Sequence, residues 1–267
     1  MTFPYQKIVL TGAASGIGWE LLCLLGQQPI EIVVADWQAA LLEEKIAQKT
    51  FLAKVWVFQA DLALQADNDA LFDFACRQMG NIELYIANAG FAYYEQIGQA
   101  DWQRIEKIYQ VNVFAPLYAA QKMRALCGEQ PYAVCITASS MAHVGIAGYA
   151  LYASTKAALH RFAESYRAEL PPQARLILVY PIATRTAFFA NAAATQAPVL
   201  FPTQKATTVA RAIVRGIARG QCSVYPSRLF WATSALLWCY EGLMGLYRAY
   251  TKRVLRNFLA KSRAEQS

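Results

Sequence analysis

Tyr152 and Lys156 stand four residues apart in a stretch with a helical pattern, so the phenol and the ammonium share one helix face. An unperturbed tyrosine titrates at about 10 and is a poor proton shuttle at neutral pH. A nearby cation favours the phenolate, and a shift of three units corresponds to about 4 kcal/mol. A phenol tuned in this way can give a proton to a carbonyl oxygen, or take one from an alcohol, while hydride moves at carbon. Ser139 and Ser140 precede this pair at the end of an apolar run, where a hydroxyl can hydrogen-bond the reacting oxygen. Asn112 falls inside a helical stretch. An amide is a mediocre helix former, so its side chain has either a polar task or an ordinary solvent or core partner. A tyrosine four residues before a lysine is common, and only its position can give it meaning.

A second constellation lies near the amino terminus. Thr11-Gly12-Ala13-Ala14-Ser15-Gly16-Ile17-Gly18 follows a buried-strand pattern and opens a helix. Glycines there let the backbone turn tightly and approach a pyrophosphate, which rests on the N–H groups of the helix terminus. Asp36 ends the next strand. A carboxylate at that point accepts hydrogen bonds from an adenosine ribose and repels a 2′-phosphate, although it can also cap the following helix. No Lys or Arg occurs among Ala13, Ala14 and Ser15, so NAD(H) is expected over NADP(H). Asp61-Leu62 follows the third strand and can reach an adenine ring, or Asp61 can cap a helix. Asn88-Ala89-Gly90 follows the fourth, where small residues admit close backbone approach.

The elements that must position these residues are legible as alternating patterns. Strands are expected at Lys7–Leu10, Ile30–Ala35, Lys54–Gln59, Glu83–Ala87, Ala133–Thr137 and Arg175–Val179, each nearly continuous in apolar residues, as in a sheet buried on both faces. Helices are expected near residues 17–27, 38–49, 67–79, 101–126 and 150–169. Asp101 should cap the fourth and Pro171-Pro172 should stop the fifth. This alternation predicts an α/β fold with a doubly wound parallel sheet, helices on both faces and ligands at the carboxyl ends of the strands. With 56% hydrophobic and 16% charged residues, the chain has material for a large core. The division expected is a catalytic domain over 1–225 and a C-terminal helical extension over 226–267.

Thr11–Gly18, Asn88-Ala89-Gly90, Asn112, Ser139, Tyr152 and Lys156 occur in an order, with gaps of 27, 13 and 4 between the last four, that resembles the short-chain dehydrogenase/reductase family over roughly residues 5–225. The resemblance implies a Rossmann fold and an NAD(P)-dependent oxidoreductase acting on CH–OH groups. It implies Tyr152 as acid/base and Ser139, rather than Ser140, as stabiliser of the substrate oxygen. It further implies that Lys156 binds the nicotinamide ribose while lowering the tyrosine pKa, and that Asn112 holds a water in a proton relay. After the sixth strand, Pro181 and Thr186 match the family's pattern, with Thr186 toward the carboxamide and the backbone of Thr184 assisting. Ile182 departs from the family's usual glycine, and Ala87 from its usual asparagine. Tyr149 lies seven residues from Lys156, outside the pattern, and is assigned to substrate binding with Ser139 and Tyr152.

Segments 91–98, 141–149 and 185–204 should face the substrate. They carry Phe91, Tyr93, Tyr94, Met141, Tyr149, Phe188, Phe189, Val199, Leu200 and Phe201, which suits a hydrophobic alcohol or carbonyl compound or a packed lid. Six scattered cysteines and two histidines offer no metal-ligand spacing. No apolar targeting segment precedes Lys7, so a cytoplasmic location is expected. Residues 1–204 carry 14 Lys and Arg against 16 Asp and Glu, whereas residues 205–267 carry 11 against 2. Within that basic end, Leu229–Tyr247 is mainly apolar and is followed by Arg248, Lys252, Arg253 and Arg256. A helix lying at a membrane interface fits this better than a span; the alternatives are covering the active site or packing on another subunit. Nothing marks a nucleic-acid binder, and a homodimer or homotetramer is expected by resemblance. The rival reading is a catalytically silent dinucleotide sensor or scaffold recruited through the tail.

Overall fold

Short runs of Val, Ile and Leu build the first strands, β1 (Lys7–Thr11), β2 (Glu31–Asp36) and β3 (Lys54–Gln59), followed by β4 (Leu84–Ala87), β5 (Tyr132–Thr137) and β6 (Ala174–Val179). All six sit within a residue or two of their expected bounds. The structure is a computed structural model and describes residues 3–186, 188 and 202–232. The chain divides into two units, residues 1–226 and 227–267.

Helices α1 (Gly16–Leu25), α2 (Ala39–Ala47), α3 (Gln65–Met79), α4 (Trp102–Tyr109), α5 (Ala115–Cys127) and α6 (Ala150–Tyr166) alternate with the strands. A two-strand parallel ribbon, β7 (Thr184–Arg185) with β8 (Gln204–Lys205), then leads into α7 (Ala206–Ala218) and β9 (Ser223–Val224). The main sheet is wholly parallel, in the order β3-β2-β1-β4-β5-β6-β9. Chain order reverses between β1 and β4, which opens a crevice at their carboxyl ends.

Strand residues alternate between the two faces. Ile8, Leu10, Ile32, Val34, Leu84 and Ile86 join one buried cluster with α1 and α7. Tyr85 points the other way and stacks on Phe72 of α3, rings 5.1 Å apart. Neither α7 nor β9 was expected. Val209, Ala210, Ile213, Gly216 and Ile217 of α7 are buried at helical spacing, a periodicity present in the sequence but obscured by the β-branched residues around it.

The single helix expected over 101–126 is three pieces. Asp101 caps α4, its carboxylate accepting from the Arg104 N–H at 3.0 Å. A π-helical turn, Gln110–Phe114, then separates α4 from α5. Pro116 has no N–H for the carbonyls of Val111 and Asn112, and the Asn112 side chain bonds outside its own helix, so the α-helical ladder breaks here. Helix α6 ends at Tyr166, a few residues before Pro171. In the second unit, residues 228–232 are helical, and the Ser227 hydroxyl accepts from the Phe230 N–H at 3.2 Å. The rest of the expected extension lies outside the described residues. Among the described residues no helix is long and apolar enough to cross a membrane.

Candidate active site

Thr11, the last residue of β1, anchors the amino-terminal turn to its neighbours. Its hydroxyl accepts from the N–H groups of Asn88 (3.1 Å) and Ala89 (3.2 Å). The Asn88 amide donates back to the carbonyls of Thr11 and Gly12, at 3.3 and 3.2 Å, and accepts from the Thr137 hydroxyl at 3.2 Å. The ends of β1, β4 and β5 are thereby stitched together across the crevice. Gly12 has φ +69°, and a Cβ there would lie 2.7 Å from the Ala89 Cα. A Cβ on Gly18 would lie 1.9 Å from the Gly12 carbonyl oxygen, so only glycine lets α1 start this close to the strand.

The amino terminus of α1 has no side-chain cap at Ser15 and no acidic residue in its first turn. Its leading N–H groups, with Gly16 and Ile17, form a positive backbone pole suited to a phosphate. Thr186 stands over this turn, since a Cβ on Gly16 would meet its methyl group at 3.1 Å. Asp36 is buried; its carboxylate accepts from the N–H groups of Ala14 (2.9 Å) and Gln38 (3.0 Å). It therefore braces the turn as well as facing the position expected for a ribose. The Asp61 carboxylate is turned to its own loop, accepting from the Ala63 N–H at 3.0 Å. The helix-capping alternative is not met, because the N-cap of α3 is Leu64 and no side chain caps it, while Leu62 packs near Thr11 and Ala89. An open helix terminus, a glycine cradle and a carboxylate at the end of the neighbouring strand fit a dinucleotide.

At the far side of the crevice, α6 delivers Tyr152, Thr155 and Lys156 on one buried face. The Lys156 ammonium donates to the Thr137 carbonyl at 2.9 Å and lies 5.5 Å from the centre of the Tyr152 ring. Gly90 passes beside it: a Cβ there would sit 3.0 Å from Asn112 Oδ1 and 3.6 Å from Lys156 Nζ. The Asn112 carboxamide accepts from the Phe91 N–H (3.0 Å) and donates to the Phe91 carbonyl (2.8 Å) and to Thr155 (3.2 Å). It clamps the loop after β4 to α6, the polar task that its place in the helix suggested. Thr155 and Thr137 were not singled out from the sequence, although each stands beside a residue that was.

Ser139 caps a 3-10 turn, its hydroxyl accepting from the Met141 N–H at 3.1 Å, and it lies near enough to the Tyr152 phenol to favour the phenolate. Ser140 instead gives its backbone N–H to the Pro181 carbonyl at 2.9 Å. Burial pushes the Tyr152 phenol well above the usual tyrosine range, and the Ser139 hydroxyl pulls the other way. Burial also brings the Lys156 amine down to about 7. The protein by itself thus raises the tyrosine pKa, opposite to the lowering expected from its lysine neighbour, because desolvation outweighs a cation turned toward a carbonyl.

Around the phenol lies an aromatic cluster of Tyr149, Met141, Ala92 and Ile108, backed by Phe91, Tyr93, Tyr94 and Phe188. The Phe188 ring meets Tyr152 edge-on, centres 5.5 Å apart. Tyr149 is wholly buried between Tyr94 and Tyr152 and forms the inner layer of this wall. Phe189, Val199, Leu200 and Phe201 lie outside the described residues. At Ile182 the carbonyl accepts from the hydroxyl of Thr184 (2.8 Å). No described non-glycine residue has a positive φ, so replacing glycine there requires no strained backbone. Among the described residues no group of His, Cys, Asp and Glu could hold a metal ion.

Residues 6–197 match the short chain dehydrogenase family. Over 177 residues the chain is 34% identical to 1-deoxy-11-beta-hydroxypentalenate dehydrogenase of Streptomyces exfoliatus, covering 64% of each protein, less than two thirds of that relative's length. A short-chain dehydrogenase from Sphingobium yanoikuyae, solved with NADPH, superposes with a TM-score of 0.77 at 24% identity, covering 89% of this chain and 94% of that one. A short chain dehydrogenase/reductase from Burkholderia phymatum, solved with NAD, gives 0.77 at 20% identity, covering 91% and 96%.

Proposed function

The chain belongs to the short chain dehydrogenase family of oxidoreductases, and we propose that it interconverts a secondary alcohol and a ketone or aldehyde on a hydrophobic substrate, with NAD(H) as its cofactor. The observation that carries this reading is the Tyr152 phenol, buried in an aromatic-lined cluster, beside Ser139 and one helical turn from the Lys156 amine.

The cofactor supplies or accepts the hydride. Gly12, Ser15, Gly16, Ile17 and Gly18 would hold its pyrophosphate and Asp36 its adenosine ribose. Leu62, and Asp61 through its loop, would border the adenine. Asn88, Ala89 and Gly90 would let it pass, and Pro181, Thr184, Thr186 and Lys156 would seat the nicotinamide end. In the reducing direction Tyr152 donates its proton to the substrate carbonyl oxygen. Its raised pKa keeps it protonated at neutral pH and so ready to do this. Ser139 donates a hydrogen bond to the same oxygen as charge builds on it. The Lys156 cation stabilises the phenolate left behind. Asn112, by holding Phe91 and Thr155, keeps the wall and the catalytic helix in register. The aromatic wall excludes bulk water and favours apolar substrate groups.

Turnover across hydrophobic ketones and alcohols tests the reading. Tyr152→Phe should lower kcat by about 10²–10⁴-fold with nucleotide binding retained. Turnover that survives the substitution would sink the mechanism. Nucleotide binding without turnover on a broad panel would favour a sensor or scaffold. The basic and apolar tail favours contact with an anionic membrane surface. The full chain should then co-sediment with vesicles containing phosphatidylserine and not with phosphatidylcholine alone; sedimentation with neither would leave a cover or subunit contact.

A further inference from the structure

We propose that Lys45, on α2, is a specificity residue for the adenosine end of the cofactor, placing a cation beside Asp36 so that the site admits a 2′-phosphorylated dinucleotide alongside the unphosphorylated one. The inference rests on the dinucleotide reading above and refines its cofactor preference.

The turn Thr11–Gly18 contains no basic residue, but the fold brings one to it from 31 positions away. Lys45 Nζ donates to the Ala14 carbonyl at 2.8 Å, while the N–H of the same residue donates to Asp36 at 2.9 Å. A single residue of the turn therefore carries a carboxylate at one end and an ammonium at the other. The N and O atoms of one residue are only about 3 Å apart, so the Asp36 carboxylate and the Lys45 ammonium flank the same turn, each one hydrogen bond from Ala14, without forming an ion pair with each other. Lys45 does not arrive there as a loose surface chain: its ammonium also lies 4.3 Å from the centre of the Trp19 ring, which steadies it. The side chain is half-buried, and an ammonium has three donors, of which the Ala14 carbonyl takes one.

Asp36 acting alone would repel a 2′-phosphate. An ammonium flanking the same turn offsets that repulsion and offers the phosphate a donor. Selectivity for the unphosphorylated cofactor is thereby softened rather than absolute.

Calorimetric titration of the full chain with 5′-AMP and with adenosine 2′,5′-bisphosphate tests this without turnover. The wild type should bind the bisphosphate within about tenfold of 5′-AMP, and Lys45→Met, which keeps the stem over Trp19, should weaken the bisphosphate selectively by about fivefold. Lys45→Arg should restore it. A parallel loss of both ligands would show that Lys45 merely braces the turn, and no change in either would show that it is idle; both outcomes overturn the proposal. Salt provides a check on the wild type alone. Screening should leave the bisphosphate-to-AMP ratio level, because attraction and repulsion fade together. A ratio that improves with salt would mean Asp36 acts unopposed, and would also overturn it. If the wild type binds neither nucleotide, the dinucleotide reading itself falls, a result separable from all of these.

Discussion

Lys156 has a pKa near its operating range because burial, its first cause, disfavours the ammonium. In the free protein it is cationic below about 7 and loses that charge above it. If the cation stabilises the phenolate of Tyr152, kcat/KM for carbonyl reduction should fall as pH rises through this value, since that parameter reports the free enzyme. Lys156→Arg keeps a charge at all relevant pH and should shift the limb upward. A pH–rate profile without a limb in this range would remove Lys156 from the charge balance and leave it a binding role. Tyr152 titrates far above this window, so it should contribute no limb there.

At the scale of elements, helix α6 ties the site to the body of the sheet. Past Lys156, its buried face continues to His160, whose Nδ1 lies 2.8 Å from the Tyr180 hydroxyl. The His160 ring packs edge-on against His143, centres 4.4 Å apart, and Glu164 Oε1 stands 3.5 Å from its Nε2. His143 belongs to the loop between Ser139 and Tyr152, so this contact joins that loop to α6. Burial and His143, assisted by Arg161 and Arg167, lower the His160 pKa from 6.5 to about 4, with Glu164 opposing. Between those values the unfolded chain binds a proton that the folded chain refuses. Stability therefore falls as pH drops through this window and is unaffected by His160 above it. Urea midpoints should decline more steeply from pH 6.5 to about 4 in the wild type than in His160→Gln. Parallel declines would show that the imidazole does not report its burial. The π-helical turn at Asn112 is the other element-level device: it trades part of a helical ladder for a clamp across three segments.

For the whole molecule, the sheet's stability depends on closing both faces, and α7 completes one of them beside α1. Ile213 on α7 is fully buried. Ile213→Ala should cost about 2–5 kcal/mol in equilibrium unfolding with an unchanged denaturant slope. A loss below about 1 kcal/mol would mean that α7 packs loosely and contributes little to the core. Gly216 marks the same tight closure, because a Cβ there would lie 2.3 Å from a methyl group of Val224 on β9.

The sequence alone determined the six principal strands, their parallel winding and which residues stand at their carboxyl ends. Buried strands, glycine turns and helix caps are short-range patterns that few neighbours can override. Local geometry likewise put Tyr152 and Lys156 on one helix face and a serine pair at a strand end, whereas Asn112, and Ser139 over Ser140, were singled out only by the resemblance to the family's order of motifs. Tertiary structure decided what depends on distant partners. The direction of the Tyr152 shift is a matter of burial, and the π-helical turn needs the Phe91 backbone as well as Pro116. The pairing of His143 with His160 spans a loop, and Lys45 reaches a turn that its position in the chain does not suggest. Desolvation and the reach of a charge are properties of the packed chain, and no local pattern encodes them.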